Sequence, residues 1–182
     1  MTYRFLLLAG TLAALGIQTA AAQSAEVFGG FNVVRTNPEN GSSSTLTGWS
    51  SSVTGYATNR LGFTGEISGF YNQNPVNTAQ SPSTDVHQYS IMGGPQFRLI
   101  KRDRFETSFK ALVGGAHRYV PDGNFGENSV AAQFGSNFDV NLSRKLAIRV
   151  SPGVYLTNFD STGVQRDFRV AIGPVFRFGG RE

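Results

Sequence analysis

The feature that most constrains this chain is a set of long segments in which apolar and polar residues alternate. In the segment 165–178, Phe168 and Ile172 lie at even positions, whereas Asp167 and Arg169 lie at odd positions. A period of two is the repeat of a β-strand that has one apolar and one polar face. Several upstream segments of similar length show the same alternation, so the sequence predicts an all-β protein.

Eight such segments follow the N-terminal region, and long polar loops alternate with short turns between them. The predicted strands are Glu26–Thr36, Thr47–Ala57, Leu61–Tyr71, Val86–Leu99, Phe105–Tyr119, Ser129–Leu142, Leu146–Phe159 and Gln165–Phe178. Strands of about ten residues cross a bilayer when they are tilted by about 45°. Because eight antiparallel strands can close without a free edge, we predict an eight-stranded antiparallel up-and-down transmembrane β-barrel.

The N-terminal region has the pattern of an export signal. Arg4 precedes an apolar run over 5–17, and small residues at 20–22 suit a signal peptidase. The run is shorter than the roughly 20 residues that a membrane-spanning helix needs. We therefore predict that residues 1–22 are a cleaved signal peptide and that residues 23–182 form the barrel domain.

Composition excludes several classes of function. The formal net charge is +4 and the chain has no cysteine. Lysine and arginine are scattered along the chain, whereas a nucleic-acid-binding face needs a contiguous basic stripe. We predict no nucleic-acid partner, no disulfide and no thiolate metal site, and no motif in the sequence indicates a cofactor.

The polar parity of the strands contains charged residues of both signs. Such a set is typical of the packed, ion-paired interior of a small barrel. The predicted interior network comprises Glu66, Arg98, Glu106, Lys110, Asp139, Arg149 and Arg169.

Aromatic side chains lie on the apolar parity, near the ends of the strands that adjoin the long loops. Trp and Tyr concentrate where a membrane meets water. The predicted aromatic belt comprises Trp49, Tyr71, Tyr89 and Tyr119.

The end of the last strand carries a local motif, in which Gly173 is followed by Phe176 and Phe178 on one parity. With this motif, the chain resembles the small outer-membrane β-barrel family of Gram-negative bacteria, of the OmpA-barrel and OmpX type. The resemblance implies an outer-membrane location, a lipid bilayer around a monomer, and recognition of the motif by the barrel assembly machinery. It leaves unknown any extracellular partner of the loops.

Short turns allow strand register to be predicted. If strands six and seven turn at Ser143–Lys145, Asp139 lies directly opposite Arg149. If strands four and five turn around Arg102, Arg98 faces Glu106 by the same construction. These ion pairs would plug the lumen, so we expect a closed structural or surface-interaction barrel rather than a channel.

The same register around Arg102 places His87 opposite His117 on the apolar parity. The pair could bind a metal or a lipopolysaccharide phosphate, but two interfacial side chains are the simpler interpretation, and we assign no metal site. Neither histidine begins the His-x-Ser element that lipid A deacylases of similar fold share, and no other catalytic motif is present. We therefore predict that the protein is not an enzyme.

Two alternatives to the closed barrel stay open at the level of sequence. One is a narrow porin-like channel. The other is a soluble, lipocalin-like binding module, which would turn the apolar parity inward, because parity alone does not tell which face meets solvent.

Prolines interrupt three of the predicted strands, at Pro95, Pro152 and Pro174, each beside a glycine. Proline lacks the N–H that a strand donates to its neighbour, and a closed barrel has no edge strand to place it on. We therefore predict a local bulge or bend at each of these positions.

Overall fold

The computed structural model describes residues 24–36, 44–71, 87–120, 125–158 and 165–179, and these form eight strands. The predicted signal peptide, Val86 and Phe159 lie outside the described residues. The described part of the chain contains no helix that could span a bilayer. The strands are β1 (Ser24–Thr36), β2 (Ser44–Tyr56), β3 (Leu61–Tyr71), β4 (His87–Lys101), β5 (Phe105–Val120), β6 (Phe125–Asn141), β7 (Leu146–Thr157) and β8 (Gln165–Phe178).

Each strand pairs antiparallel with the next one in sequence, and β8 pairs with β1, so the sheet is a closed barrel. The predicted number, order and direction of strands are confirmed. Some strands are longer than predicted: β6 begins at Phe125 rather than Ser129, because Phe125 is paired with Val120 of β5. In a barrel a neighbour's backbone can extend a strand beyond the alternating segment of its own sequence.

The alternation of side chains resolves which face meets solvent. Outward positions are apolar and exposed, as at Ile91 (66%) and Val130 (71%), whereas the inward Glu66 and Arg169 are almost completely buried. A lipocalin-like module would have its apolar parity inside, so that alternative is wrong for this chain. The apolar outer surface instead fits a hydrocarbon environment.

The three prolines do not shift the register of their strands. Pro95 stays paired with Phe63, Pro152 with Val170, and Pro174 with Ile148. Each proline strand also pairs with a second neighbouring strand, and there two consecutive residue pairs are missing at the proline. The pairing then resumes in the same register. A bulge at each proline is therefore wrong, because a strand residue points its N–H at one neighbour only, and losing that donor opens one ladder locally; a bend at these positions stays a prediction.

Among the described pairings, the register shifts once, between Arg98 and Ile100 of β4. The turn to β5 is closed by mutual backbone hydrogen bonds between Arg102 and Phe105, with the Arg102 nitrogen 2.8 Å from the Phe105 oxygen. Together the turn and the shift displace the predicted register. Arg98 lies opposite Ser108 rather than Glu106.

The glycine beside Pro95 permits a close approach of β4 to β5. A Cβ atom on Gly94 would lie 2.0 Å from the carbonyl oxygen of Ala111. We expect Gly94→Ala to destabilise the barrel by about 1–3 kcal/mol, because backbone would have to move to remove the clash. Urea unfolding in detergent micelles measures this change.

Gly65→Ala is the matched control, since a Cβ atom at Gly65 meets nothing within 4 Å. An equal loss of stability in both variants would show that the close approach is not the cause.

Candidate functional site: the barrel lumen

Six charged side chains from six strands meet inside the barrel at the end that carries the short turns. Three are carboxylates and three are guanidinium groups, so the group is neutral as a whole. We call it the lower cluster, and it consists of Glu26, Arg98, Glu106, Asp139, Arg149 and Arg177.

Glu26 of β1 contacts all three arginines of the lower cluster. One carboxylate oxygen lies 2.9 Å from Arg98 Nη2 and 3.3 Å from Arg177 Nε, and the other lies 2.7 Å from Arg149 Nη2. Glu26 and Arg177 are not among the residues predicted for the network. Their parity was available as a signal, but only closure of β1 on β8 brings them together.

The ion pair predicted from the β6–β7 turn is present in the predicted register. Asp139 lies opposite Arg149, which donates through Nε to Oδ1 at 2.7 Å and through Nη2 to Oδ2 at 2.8 Å. This two-point geometry is the strong form of a carboxylate–arginine contact. Arg177 Nη2 is a further 2.7 Å donor to Asp139.

Arg98 and Glu106 form an ion pair even though they are not directly opposite each other. The long arginine side chain spans the two-residue displacement, and its guanidinium carbon lies 3.8 Å from the centre of the Tyr56 ring. The contact was predicted, but the geometry that makes it differs from the prediction.

A second group, the middle triad, comprises Glu66, Lys110 and Arg169. Lys110 Nζ lies 2.7 Å from one oxygen of Glu66, and Arg169 Nη1 lies 2.6 Å from the other. Arg169 also donates to Gln133 Oε1 at 2.6 Å. All three charged groups are buried, so a single carboxylate pairs with two cations inside the barrel.

Neutral polar side chains form a hydrogen-bonded network beside the lower cluster. Gln96 donates to Tyr56 Oη at 2.6 Å and accepts from Thr64 at 3.0 Å and from Asn137 at 3.2 Å. Asn137 accepts in turn from Ser151 at 2.8 Å. These residues were not predicted as a network, because single amides and hydroxyls on a polar parity carry no distinctive spacing.

Towards the loop end, buried apolar side chains lie among polar ones such as Gln88 and Asp167. Phe70 and Tyr155 are fully buried, with ring centroids 5.9 Å apart. Val34 and Leu46 pack with Phe70, and Met92 packs with Tyr155. The lumen is therefore filled along its length by charged, polar and apolar side chains.

Three carboxylates of the lower cluster, from Glu26, Glu106 and Asp139, offer oxygens that lie within 4.8 Å of one another. Each of them is already paired with an arginine. A cation would have to compete with guanidinium groups held at the same oxygens, so we assign no metal to this cluster.

The predicted aromatic belt occupies one side of the barrel, on β2 to β5. Trp49 Nε1 donates to Tyr71 Oη at 3.2 Å, and the rings of Tyr71 and Tyr89 lie 6.1 Å apart. Tyr119 is exposed and lies opposite His87 in the β4–β5 register.

The predicted register of the two histidines is wrong. His117 lies opposite Tyr89, not His87, because the register of β4 is displaced. His87 packs edge-on against Tyr71, and His117 Nδ1 lies 2.8 Å from Asn128 Oδ1. The two histidines therefore have separate neighbours and do not form a pair.

The residues of the predicted assembly signal lie at the β8–β1 closure. Phe176 and Phe178 point outwards and are exposed, and a Cβ atom on Gly173 would lie 2.1 Å from the Gly29 carbonyl oxygen. Recognition of this segment by an assembly machinery stays a prediction.

Comparison with known proteins identifies the fold. The sequence matches no protein-family model and no curated protein. Neisserial surface protein A superposes with a TM-score of 0.65 at 15% identity, covering 85% of this chain and 97% of that chain. The outer membrane protein OprG from Pseudomonas aeruginosa gives a TM-score of 0.60 at 12% identity, covering 90% and 100%.

The attachment invasion locus protein Ail of Yersinia pestis gives a TM-score of 0.55 at 14% identity, covering 86% of this chain and 99% of that chain. At these identities the likeness establishes the fold. The predicted resemblance to small eight-stranded outer-membrane barrels is therefore confirmed, together with the all-β, closed architecture.

Proposed function

We propose that this chain is an outer-membrane protein whose closed barrel serves as a rigid support for four surface loops, without a channel and without catalysis. The observation that carries the proposal is the filled lumen. In the lower cluster and the middle triad, ion pairs connect side chains from different strands across the lumen. An eight-stranded barrel has an interior just wide enough for side chains to fill.

The strand order supports one orientation of the barrel in the membrane. β1 begins and β8 ends at the short-turn end, so export through an N-terminal signal would place this end in the periplasm. The connections 37–43, 72–86, 121–124 and 159–164 would then face the outside. Their sequences are rich in Asn, Ser, Thr and Gly, which suits solvated loops.

The non-enzymatic part of the proposal rests on the two histidines. His87 and His117 are each followed two positions later by tyrosine, and each contacts a neighbour at the outer surface rather than a serine. A base that activates a nucleophile needs to lie within hydrogen-bond reach of it.

Planar-bilayer recordings distinguish the support from a channel. We expect the refolded protein to give no steady conductance, because ion-paired side chains block the lumen at two levels. A porin inserted into the same bilayers serves as the positive control. Stable open-channel currents from the unmodified protein would contradict the closed lumen and favour the porin-like alternative.

A further inference from the structure

The short-turn end of the barrel carries a concentration of exposed basic side chains. Within the three turns at 57–60, 101–104 and 142–145, Asp103 is the sole acidic residue. The exposed cations there are Arg60, Lys101, Arg102, Arg104, Arg144 and Lys145.

Two of these turns are fastened to each other. Asn141 Nδ2 donates to the carbonyl oxygens of Arg102 at 3.2 Å and Asp103 at 3.0 Å, and its backbone N–H donates to Arg104 at 3.0 Å. Five of the six cations, all except Arg60, therefore stand on one fixed surface. We call these five residues, at 101, 102, 104, 144 and 145, the basic platform.

None of the platform side chains forms an ion pair with another residue in the described part of the chain. Asp103, in the same turn, is exposed and forms no ion pair with a platform side chain in the described part of the chain. The next acids, Glu106 and Asp139, point into the lumen and are paired there with arginines of the lower cluster. The positive charge of the platform is consequently left for a ligand outside the protein.

The outer surface next to the platform is apolar. The register shift in β4 leaves two consecutive side chains, Leu99 and Ile100, exposed on the outside, where strict alternation would expose one. Leu142 is exposed beside the platform as well, and Phe105 stacks on Phe138 with centroids 6.5 Å apart. Cations thus border a hydrocarbon-like surface.

We propose that the basic platform is a binding site for anionic phospholipid of the periplasmic leaflet. The phosphate would contact the arginines, which can donate two parallel hydrogen bonds to phosphate oxygens, and the acyl chains would lie along Leu99, Ile100 and Leu142. The inference rests on the proposed function, which places this end of the barrel at the periplasmic leaflet.

The electrostatic gain is large enough to measure. Each basic side chain near an anionic lipid surface raises the binding constant for that surface about fivefold. Five such side chains should therefore give a strong preference for anionic over zwitterionic lipid. The preference should weaken with salt, because exposed charges are screened over about 8 Å at physiological ionic strength. We assign a lipid rather than free phosphate because the exposed apolar side chains beside the platform, Leu99, Ile100 and Leu142, can contact acyl chains.

The test compares the heat-induced unfolding of the refolded chain in maltoside micelles, followed by gel mobility, with and without added phosphatidylglycerol. We expect phosphatidylglycerol to raise the midpoint, whereas phosphatidylcholine or inorganic phosphate at the same concentration leaves it unchanged. The variant K101Q/R102Q/R104Q/R144Q/K145Q should fold normally, because its altered side chains are exposed, and should lose the response to phosphatidylglycerol.

Arg35→Gln with Arg166→Gln is the matched control, since both arginines are exposed at the opposite end of the barrel. This control should respond as the unmodified protein does. An unchanged response in the five-residue variant, or an equal response to inorganic phosphate, would overturn the lipid site. No effect of phosphatidylglycerol on the midpoint of the unmodified protein would overturn it too. Absence of a heat-modifiable folded form in micelles would instead contradict the proposed function.

Discussion

Replacing Glu66 with alanine is expected to prevent the barrel from keeping a stable folded form. Glu66 is the carboxylate that holds both Lys110 and Arg169, with distances of 2.7 and 2.6 Å, and all three side chains are buried. Removing one partner of a buried ion pair costs about 3–5 kcal/mol, because the remaining charge is left without compensation. Without Glu66, the buried cations Lys110 and Arg169 would repel each other with no carboxylate between them.

Urea unfolding in micelles and heat-dependent gel mobility both measure this loss. Glu127→Ala is the matched control, since Glu127 is exposed near the loop end of β6, and its stability should change by less than about 0.5 kcal/mol. An equal effect of the two substitutions would contradict the structural role of the middle triad.

A compensating variant separates charge from packing. In Glu66→Gln with Lys110→Met, one carboxylate and one ammonium are removed together, so the triad keeps its excess of one cation, Arg169, which still reaches Gln133. Replacing a buried ion pair with neutral groups of similar volume is often tolerated. We expect this double variant to be clearly more stable than Glu66→Ala, and the opposite order would refute the electrostatic explanation.

Placing arginine at Val113 is expected to impair insertion into lipid. Val113 lies at the middle of β5, points outwards and is 61% exposed. In a transmembrane barrel an arginine near the bilayer midplane costs about 2–4 kcal/mol, and the cost falls to about 0–1 kcal/mol near the interfaces. In water, an exposed arginine on a strand would cost little.

Leu142→Arg provides the depth control, because Leu142 is equally exposed at 61% but lies at the short-turn end. Folding yield and urea unfolding in phospholipid vesicles should show a larger loss for Val113→Arg than for Leu142→Arg. Equal, small effects at the two positions would contradict a bilayer around the middle of the barrel.

Local sequence was sufficient where a hairpin fixes its own register. The β6–β7 turn is closed by backbone hydrogen bonds from Leu142 and Ser143 to the Leu146 oxygen, and the predicted Asp139–Arg149 pairing follows from it. The β4–β5 hairpin did not obey the same construction. The turn is closed between Arg102 and Phe105, so its centre lies at Asp103 and Arg104 rather than at Arg102, and the shift between Arg98 and Ile100 offsets this displacement by only one residue. The consecutive apolar residues Leu99 and Ile100 are the break in alternation that marks the shift.

The period of two in the sequence determined the strands and the two faces of each, because successive side chains of a strand point to opposite sides. It also determined which residue types share a face. Tertiary structure decided which residues meet across the lumen. Glu26 reaches Arg98, 72 positions away, and Arg149, 123 positions away. Such contacts depend on the closure of β1 onto β8 and on the width of the barrel, which are properties of all eight strands together and of no single segment.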